Sequence, residues 1–149
     1  MNLLNYIYIK GNPSRVTAQQ KGERIVAGSY IQHYEKDKIK AMKHRLAFDV
    51  RRFRPSEPYN EPLAVFIYWA FETKDKKKIK NIGKPTKPDL DNLAKSVLDV
   101  LTQQKFWKDD ALIVNLNLMK IWVPVGEGNL TIEIYKDPFE NFIYQNIGG

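Results

Sequence analysis

The sequence predicts an α+β fold, a single domain in which two main helices pack on one mixed β-sheet. Three observations lead to this prediction. The length of 149 residues is that of one ordinary domain. Two segments place apolar residues at helical spacing, and four segments have the length and residue types of strands. A strand, a helix, a strand and a helix that are followed by two strands are typical of an α+β domain around one sheet.

The first half of the chain contains a predicted strand and a predicted helix. Residues 3–9 are mostly β-branched or aromatic and stop at Gly11-Asn12-Pro13, which predicts an opening strand and a turn. Residues 11–30 look irregular, with a short strand expected near residues 24–27. A long helix is predicted next, because apolar residues recur at helical spacing. These residues are Ile39, Met42, Leu46, Val50 and Phe53.

The second half contains a strand, a helix and a predicted β-hairpin. Prolines end the first helix and lead into an apolar strand over residues 63–71. An amphipathic helix is predicted over residues 90–104, with leucines, Ala94 and Val97 on one face. Residues 113–123, the turn at 126–129 and residues 130–135 predict the hairpin. Residues 137–149 lack periodicity, and we interpret them as a C-terminal tail of the single domain, residues 1–149.

Composition excludes several classes of chemistry. The chain has no cysteine, so disulfide bonds, thiolate zinc sites and a cysteine nucleophile are excluded. The first ten residues are too short and too polar for a signal peptide, and no apolar run approaches the ~20 residues of a transmembrane helix. We therefore expect an intracellular protein that makes no membrane contact.

Positive charge is concentrated in one segment. Residues 73–88 contain seven lysines and one aspartate, which account for six of the seven net positive charges. Such a patch fits a polyanion such as nucleic acid, and a solvated flexible loop is the alternative. The candidate DNA contacts are Arg15, Lys21, Lys74, Lys76, Lys77, Lys78, Lys84, Lys87 and Lys108.

Carboxylates follow this segment at both ends of the second helix. Asp89 and Asp91 open the helix, and Asp109 and Asp110 come after its aromatic connector. A return of the chain through that connector would bring Asp110 back to the helix start. Clustered carboxylates suit Mg²⁺, and Lys95, one turn after Asp91, could orient it or balance charge on a phosphate. Taken singly, Asp89 is typical of a helix cap, and Asp91 with Lys95 is typical of a surface ion pair. Asp109 and Asp110 are typical of a turn.

Histidine and tryptophan carry less information. His33 and His44 are far from the acidic residues in sequence, so we expect them on the surface of the first helix. Trp69, Trp107 and Trp122 could stack on unpaired bases. We instead expect the three tryptophans in the core, since aromatic residues in strands and connectors are usually buried.

Two short motifs resemble a known family. One runs from Lys87 through Pro88-Asp89-Leu90-Asp91-Asn92-Leu93-Ala94 to Lys95, and the other is Phe106-Trp107-Lys108-Asp109-Asp110. Their order, spacing and residue types resemble the RusA family of Holliday-junction resolvases. Strong agreement covers residues 87–115, and looser agreement extends to about residue 135.

The resemblance implies a homodimeric endonuclease with a RusA-like fold. Members of this family bind four-way DNA junctions and nick opposing strands with Mg²⁺ or Mn²⁺, without a small-molecule cofactor. Carried over by position, Asp89, Asp91 and Asp110 are the catalytic and metal-binding acids, and Lys95 is the catalytic lysine. The expected location is the cytoplasm of a bacterial or phage-infected cell. Other branched DNA as substrate, and a non-catalytic DNA-binding module, remain the alternatives.

Overall fold

The computed structural model of the chain is a four-stranded mixed sheet with helices, as the sequence predicts. It describes residues 1–17 and 29–139, with side chains described for 1–17 and 36–139. The strands are β1 (Asn2–Lys10), β2 (Leu63–Thr73), β3 (Ile113–Pro124) and β4 (Asn129–Lys136). Their order across the sheet is β1-β4-β2-β3. The strand expected near residues 24–27 and the end of the tail, 140–149, lie outside the described residues.

The predicted hairpin of β3 with β4 is wrong. β4 pairs antiparallel with both β1 and β2, whereas β3 pairs with β2 in parallel. β2 is the most buried strand: its core face, residues 63, 65, 67, 69 and 71, is buried throughout, as suits a strand with a neighbour on each side. A parallel pair also requires a crossover, which the helix between β2 and β3 supplies.

The helices are α1 (Ser29–Val50), α2 (Lys76–Lys80) and α3 (Leu90–Gln103). Both long helices were predicted, although the 3-10 turn Arg51–Phe53 replaces the end expected for α1. The short helix α2 was not predicted, because its sequence, KKKIK, has no apolar face. Asp75 caps this helix by accepting a hydrogen bond from the Lys77 N–H at 2.9 Å.

The core lies between one face of the sheet and the helices. Its largest fully buried side chains include Trp69, Trp107 and Phe71, and Trp122 is 5% exposed, so the expected burial of all three tryptophans is confirmed. α3 contributes Leu93, Val97 and Leu101 to the same core. Among the described residues, no helix is long and apolar enough to cross a membrane.

Candidate active site and DNA interface

Asp89 is the N-cap of α3, yet its carboxylate is not used for capping. Its backbone is extended, with φ −72° and ψ 146°, and its side chain accepts no hydrogen bond from the helix N-terminus. Among the described residues Asp89 forms an ion pair with Lys87, whose Nζ lies 3.9 Å from the carboxylate. Both side chains are exposed, at 88% and 52%, so this ion pair contributes little to stability. The carboxylate is therefore available to a ligand.

Asp91 lies in the first turn of α3, where the helix dipole favours negative charge. It is exposed and has no hydrogen-bond or ion-pair partner among the described residues. Lys95 is also exposed, and no ion pair joins it to Asp91. Asp89 and Asp91 thus present two exposed carboxylates at one end of the helix, and among the described residues the exposed Lys87 ammonium is the one partner of either.

Asp110 lies toward the opposite end of α3. The helix has 14 residues, which span about 21 Å at ~1.5 Å per residue. Beyond it, Trp107 is buried beside Tyr59, and the two residues form a parallel bridge. Asp110 then opens a 3-10 turn directly before β3. The aromatic connector therefore runs on into the sheet and does not return to the start of α3.

The register of the sheet gives the same separation. Ile113, three residues after Asp110, pairs with Leu63 at one end of the sheet. Lys120, which contacts the residue before Asp89, is seven residues further along β3, or roughly 23 Å at ~3.3 Å per residue. Within residues 1–17 and 29–139, no three His, Cys, Asp or Glu side chains are grouped so that they could hold a metal ion.

Two other acids near the motifs, Asp99 and Asp109, have structural roles. Asp99 forms an ion pair with Lys43 at 3.7 Å and so connects α3 to α1. Asp109 accepts a hydrogen bond from the Ala111 N–H at 2.9 Å and caps the 3-10 turn. Asp110, beside it, is exposed, and its side chain forms no hydrogen bond or ion pair with the described residues. Asp99 and Asp109 are thus engaged with the protein, whereas Asp91 and Asp110 have no partner among the described residues and Asp89 has only the exposed ion pair with Lys87.

Part of the lysine-rich segment packs against the sheet. Lys76 and Lys77 are exposed on α2, and the Lys78 ammonium lies 4.6 Å from the centroid of the Trp122 ring. Lys74 and Lys87, at either end of the segment, are exposed. Lys87 lies 3.9 Å from the Asp89 carboxylate, so exposed positive charge adjoins the start of α3.

Three further candidate DNA contacts have different positions. Arg15 packs over the Phe71 ring at 5.8 Å, on the side of the sheet that also holds Trp122. Lys108 is exposed beside Asp109, beyond the far end of α3. Lys21 lies outside the described residues.

Lys84 differs from every other lysine of the segment because it is buried, at 3% exposure. Its Nζ donates to Thr86 O at 3.0 Å and to Thr86 Oγ1 at 2.8 Å. Burial first, and then the nearby positive charges of Arg15, Lys120 and Lys78, lower the pKa of Lys84 from 10.5 to about 8. A side chain held in this way is not available for phosphate contact.

Lys120 was missed by the sequence analysis. It lies in β3, and its Nζ donates to Thr86 O at 2.7 Å and to Pro88 O at 2.9 Å. The signal was present, since a lysine stands between Met119 and Ile121 in a strand that is otherwise apolar or neutral. That pattern gives no indication of which loop the ammonium contacts.

Asp89 and Asp91 fit a hard divalent cation. Mg²⁺ takes oxygen ligands and is commonly held by one or two carboxylates, waters and substrate phosphates. Both carboxylates are exposed, neither accepts a hydrogen bond from the described residues, and they flank the start of a helix. Asp110 is a third exposed carboxylate, but within one chain it lies too far from Asp89 and Asp91 to bind the same metal ion.

Comparison with known proteins identifies the family. The family model described as endodeoxyribonuclease RusA matches residues 13–135. The chain belongs to the RusA family. The motif resemblance found in the sequence is thereby confirmed, and the RusA match includes both acidic motifs and the strands that surround them.

Individual RusA proteins agree with this assignment. The protein named crossover junction endodeoxyribonuclease rusA from Lactococcus phage r1t is 33% identical over 107 residues, which are 70% of this chain and 79% of the relative. The crossover junction endodeoxyribonuclease RusA of Escherichia coli strain K12 is 46% identical over 46 residues, 31% of this chain and 38% of the relative. The RusA protein of Shigella sonnei strain Ss046 gives the same values.

Proposed function

We propose that this RusA-family chain is a Mg²⁺-dependent endonuclease that resolves four-way DNA junctions by paired nicks during recombination and repair. Mn²⁺ is expected to substitute for Mg²⁺. The observation that carries the proposal is the pair of exposed carboxylates, Asp89 and Asp91, with the exposed ammonium of Lys87 3.9 Å from Asp89. Its DNA substrate lies in the cytoplasm of a bacterial or phage-infected cell, where we expect the enzyme to act.

Asp89 and Asp91 would hold the metal ion at the start of α3. When bound, Mg²⁺ polarises the scissile phosphate and lowers the pKa of a water molecule. The chain itself supplies the carboxylates, a helix N-terminus that tolerates negative charge, and Lys95 one turn further along the helix. The ammonium of Lys95 would balance negative charge that develops on the phosphate.

The exposed lysines would bind the DNA backbone. Lys76, Lys77 and Lys87 offer point charges that neutralise phosphates and release counterions. Bound phosphates would in turn relieve the repulsion between DNA and the carboxylates of the site. We assign these lysines to affinity and the acidic residues to cleavage.

We further propose a homodimer in which two copies of the chain complete each site. Asp110 matches a catalytic position of the family, yet it lies toward the other end of α3 from Asp89 and Asp91. A second copy can supply the missing carboxylate as Asp110 of the partner subunit. A two-fold dimer also presents two equivalent sites, which suits two equivalent cuts.

The edge of β3 offers a surface for this dimer. In the described part of the chain β3 pairs with β2 on one side, and residues 82–84 cover its other side only near Lys120 and Trp122. Val114, Leu116 and Met119 remain 47%, 40% and 49% exposed along this strand. A long apolar edge strand readily accepts another strand. Antiparallel pairing of two β3 strands would bring the start of one beside the end of the other, and so Asp110 of the partner subunit toward Asp89.

Cleavage of a synthetic four-way junction tests the activity. Linear duplex and a flap serve as comparison substrates, each with Mg²⁺ or with EDTA. We expect metal-dependent, paired nicks in the junction that Asp91→Asn abolishes while junction binding persists. The matched control is Asp99→Asn, which makes the same chemical change on the same helix at a carboxylate engaged with Lys43. Tight junction binding without cleavage under any metal condition would instead indicate a DNA-binding module, and preferred flap cleavage a different branched substrate.

Mixing two inactive variants tests the shared site. Dimers formed between Asp91→Asn and Asp110→Asn chains contain one site with both substitutions and one site with neither, if Asp110 acts in the partner's site. We therefore expect the co-expressed mixture to regain cleavage. Each mixed dimer has one intact site, so it should make single nicks and not paired ones. If both carboxylates act within one chain, every site in the mixture carries a substitution and no activity returns. Light scattering that gives the mass of a single chain would also overturn the shared site.

A further inference from the structure

The loop before Asp89 is fastened to the edge of β3 by its backbone. Lys84 N donates to Lys120 O at 3.2 Å, and Trp122 N donates to Ile82 O at 2.7 Å. Residues 82–84 thus extend the sheet by a short stretch. The chain then has only four residues, 85–88, in which to reach the start of the site.

The buried ammonium of Lys84 holds the first part of those residues. Besides both oxygens of Thr86, its Nζ donates to the carbonyl oxygen of Lys87. The ammonium lies 5.2 Å from the Phe71 ring centroid and 4.8 Å from that of Trp122, so aromatic faces enclose its other side. The three donors of the ammonium are directed at oxygens of the loop.

Lys120 holds the end of the loop, up to Pro88. Its Nζ shares the carbonyl oxygen of Thr86 with Lys84, at 2.7 Å, and also binds the carbonyl oxygen of Pro88, at 2.9 Å. Two ammonium groups, one from the loop itself and one from β3, therefore bind three consecutive carbonyl groups. Hydrogen bonds from charged donors are stronger than those between neutral groups.

These contacts fix Asp89 from its N-terminal side. The Pro88 carbonyl and the Asp89 nitrogen and Cα belong to one planar peptide unit, so an ammonium that fixes Pro88 O also fixes Asp89 Cα. On the C-terminal side, the Leu93 N–H donates to Asp89 O at 3.0 Å. Both peptide planes that flank Asp89 are thus held, while its carboxylate has no hydrogen bond to the helix N-terminus.

We propose that Lys84 and Lys120 are positioning residues that hold the Asp89 backbone so that its carboxylate meets the metal ion together with Asp91. This inference rests on the proposed function of the site. It assigns the two lysines a role distinct from that of the exposed lysines, which would contact phosphates. Groups that orient a metal ligand typically contribute about 10- to 100-fold to metal affinity or activity.

Lys84→Met separates positioning from DNA contact. Methionine keeps most of the apolar stem against Phe71 and Trp122 but removes the ammonium. We expect Mn²⁺ affinity, measured by electron paramagnetic resonance on the full chain, to fall about 10-fold or more. The half-saturating Mg²⁺ concentration for junction cleavage should rise in parallel, so that excess Mg²⁺ partly restores the rate. Junction affinity in EDTA should stay within about 2-fold of the wild-type value, since an enclosed ammonium does not contact phosphate.

Two further variants complete the experiment. Lys10→Met removes one charge from an exposed lysine at the end of β1 and should match wild type in every measurement. Lys120→Met leaves the Lys84 contacts in place and alters a residue that is only half-buried, so a folded protein is expected. It should show the same loss of metal affinity as Lys84→Met. Hydrogen exchange of the amides of residues 86–91 should accelerate in both variants and not in Lys10→Met.

Unchanged Mn²⁺ affinity in folded Lys84→Met and Lys120→Met would overturn the positioning role, as would unchanged amide exchange in residues 86–91. A loss of junction affinity in EDTA, with metal affinity intact, would show that these lysines contact DNA. If wild type neither binds Mn²⁺ nor cleaves the junction, the proposed function fails. The exchange comparison still decides whether the two lysines hold the loop.

Discussion

Trp107 donates a hydrogen bond through its indole nitrogen to Thr102 Oγ1, at 2.7 Å. The indole is 1% exposed, so no water replaces this acceptor if it is removed. Thr102 also donates through its hydroxyl to Leu98 O at 2.8 Å, inside α3. The pair joins the last turn of the helix to the connector that leads to Asp110.

Loss of the Thr102 hydroxyl should therefore destabilise the fold. Thr102→Val keeps the shape of the side chain but leaves the buried Trp107 N–H without an acceptor, which costs about 1–3 kcal/mol. Urea denaturation should report this decrease in the free energy of unfolding. Thr131→Val is a comparison, because its hydroxyl bonds only to the half-buried amide side chain of Asn129. Equal losses in the two variants would contradict a special role for the Trp107 bond.

A close approach of two loops makes Gly128 sensitive to substitution. A Cβ at Gly128 would lie 2.9 Å from the backbone Cα of Asn12 and 2.7 Å from a Glu72 carboxylate oxygen. We expect Gly128→Ala to lower the free energy of unfolding by about 1–3 kcal/mol, as overpacking does. Gly83→Ala is the matched control, since a Cβ there meets nothing within 4 Å. A Gly128→Ala protein as stable as Gly83→Ala would contradict the close approach.

Lys84 should make stability depend on alkaline pH. Its pKa is lowered from the ordinary 10.5 to about 8 in the fold, by burial first and then by Arg15, Lys120 and Lys78. At a pH between about 8 and 10.5, the Lys84 side chain is protonated in the unfolded chain and mostly deprotonated in the folded chain. The contribution of Lys84 to the free energy of unfolding therefore rises with pH across that interval and is lowest below pH 8.

The difference between wild type and Lys84→Met isolates this contribution, because other titrating groups are shared. Denaturation series from pH 7 to 11 should show the wild type gaining stability relative to the variant above pH 8. A flat difference would mean that Lys84 keeps its ordinary pKa in the fold.

The exposed lysines of α2 should control the salt dependence of DNA binding. Changing Lys76, Lys77 and Lys78 together to Ala should weaken junction binding and reduce the slope of log affinity against log salt concentration. The slope should change by about 0.9 for each phosphate of duplex DNA that the variant no longer neutralises. Fluorescence anisotropy at several salt concentrations measures both quantities. Lys10→Ala provides a single-charge comparison, and an unchanged slope in the triple variant would mean that α2 is a solvated surface.

The two long helices and all four strands could be predicted because each has a clear local pattern. α3 combines an apolar face with a polar one. The neighbours of each strand could not be predicted in the same way, since β3 and β4 alternate like the two arms of a hairpin. The pairing partners depend on contacts between distant parts of the chain, which place β2 between β4 and β3.

The acidic motif could be recognised, but its geometry could not. Asp89 and Asp91 are neighbours in sequence, so their proximity follows from the chain itself. The position of Asp110 depends on whether the connector turns back toward the start of α3. The contact of Trp107 with Tyr59 determines this direction, and it joins residues that are far apart in the sequence. The roles of Lys84 and Lys120 are likewise long-range, because both depend on the pairing of residues 82–84 with β3.

The sheet order has a consequence for synthesis of the chain. Among the described residues β4 is the last strand to be translated, yet it lies between β1 and β2. A ribosome-bound chain that ends before Asn129 can form the unit of β2, α3 and β3, but its first strand has no partner. Premature termination there would leave β1 without a partner and one edge of β2 open, and open strand edges favour aggregation of the product.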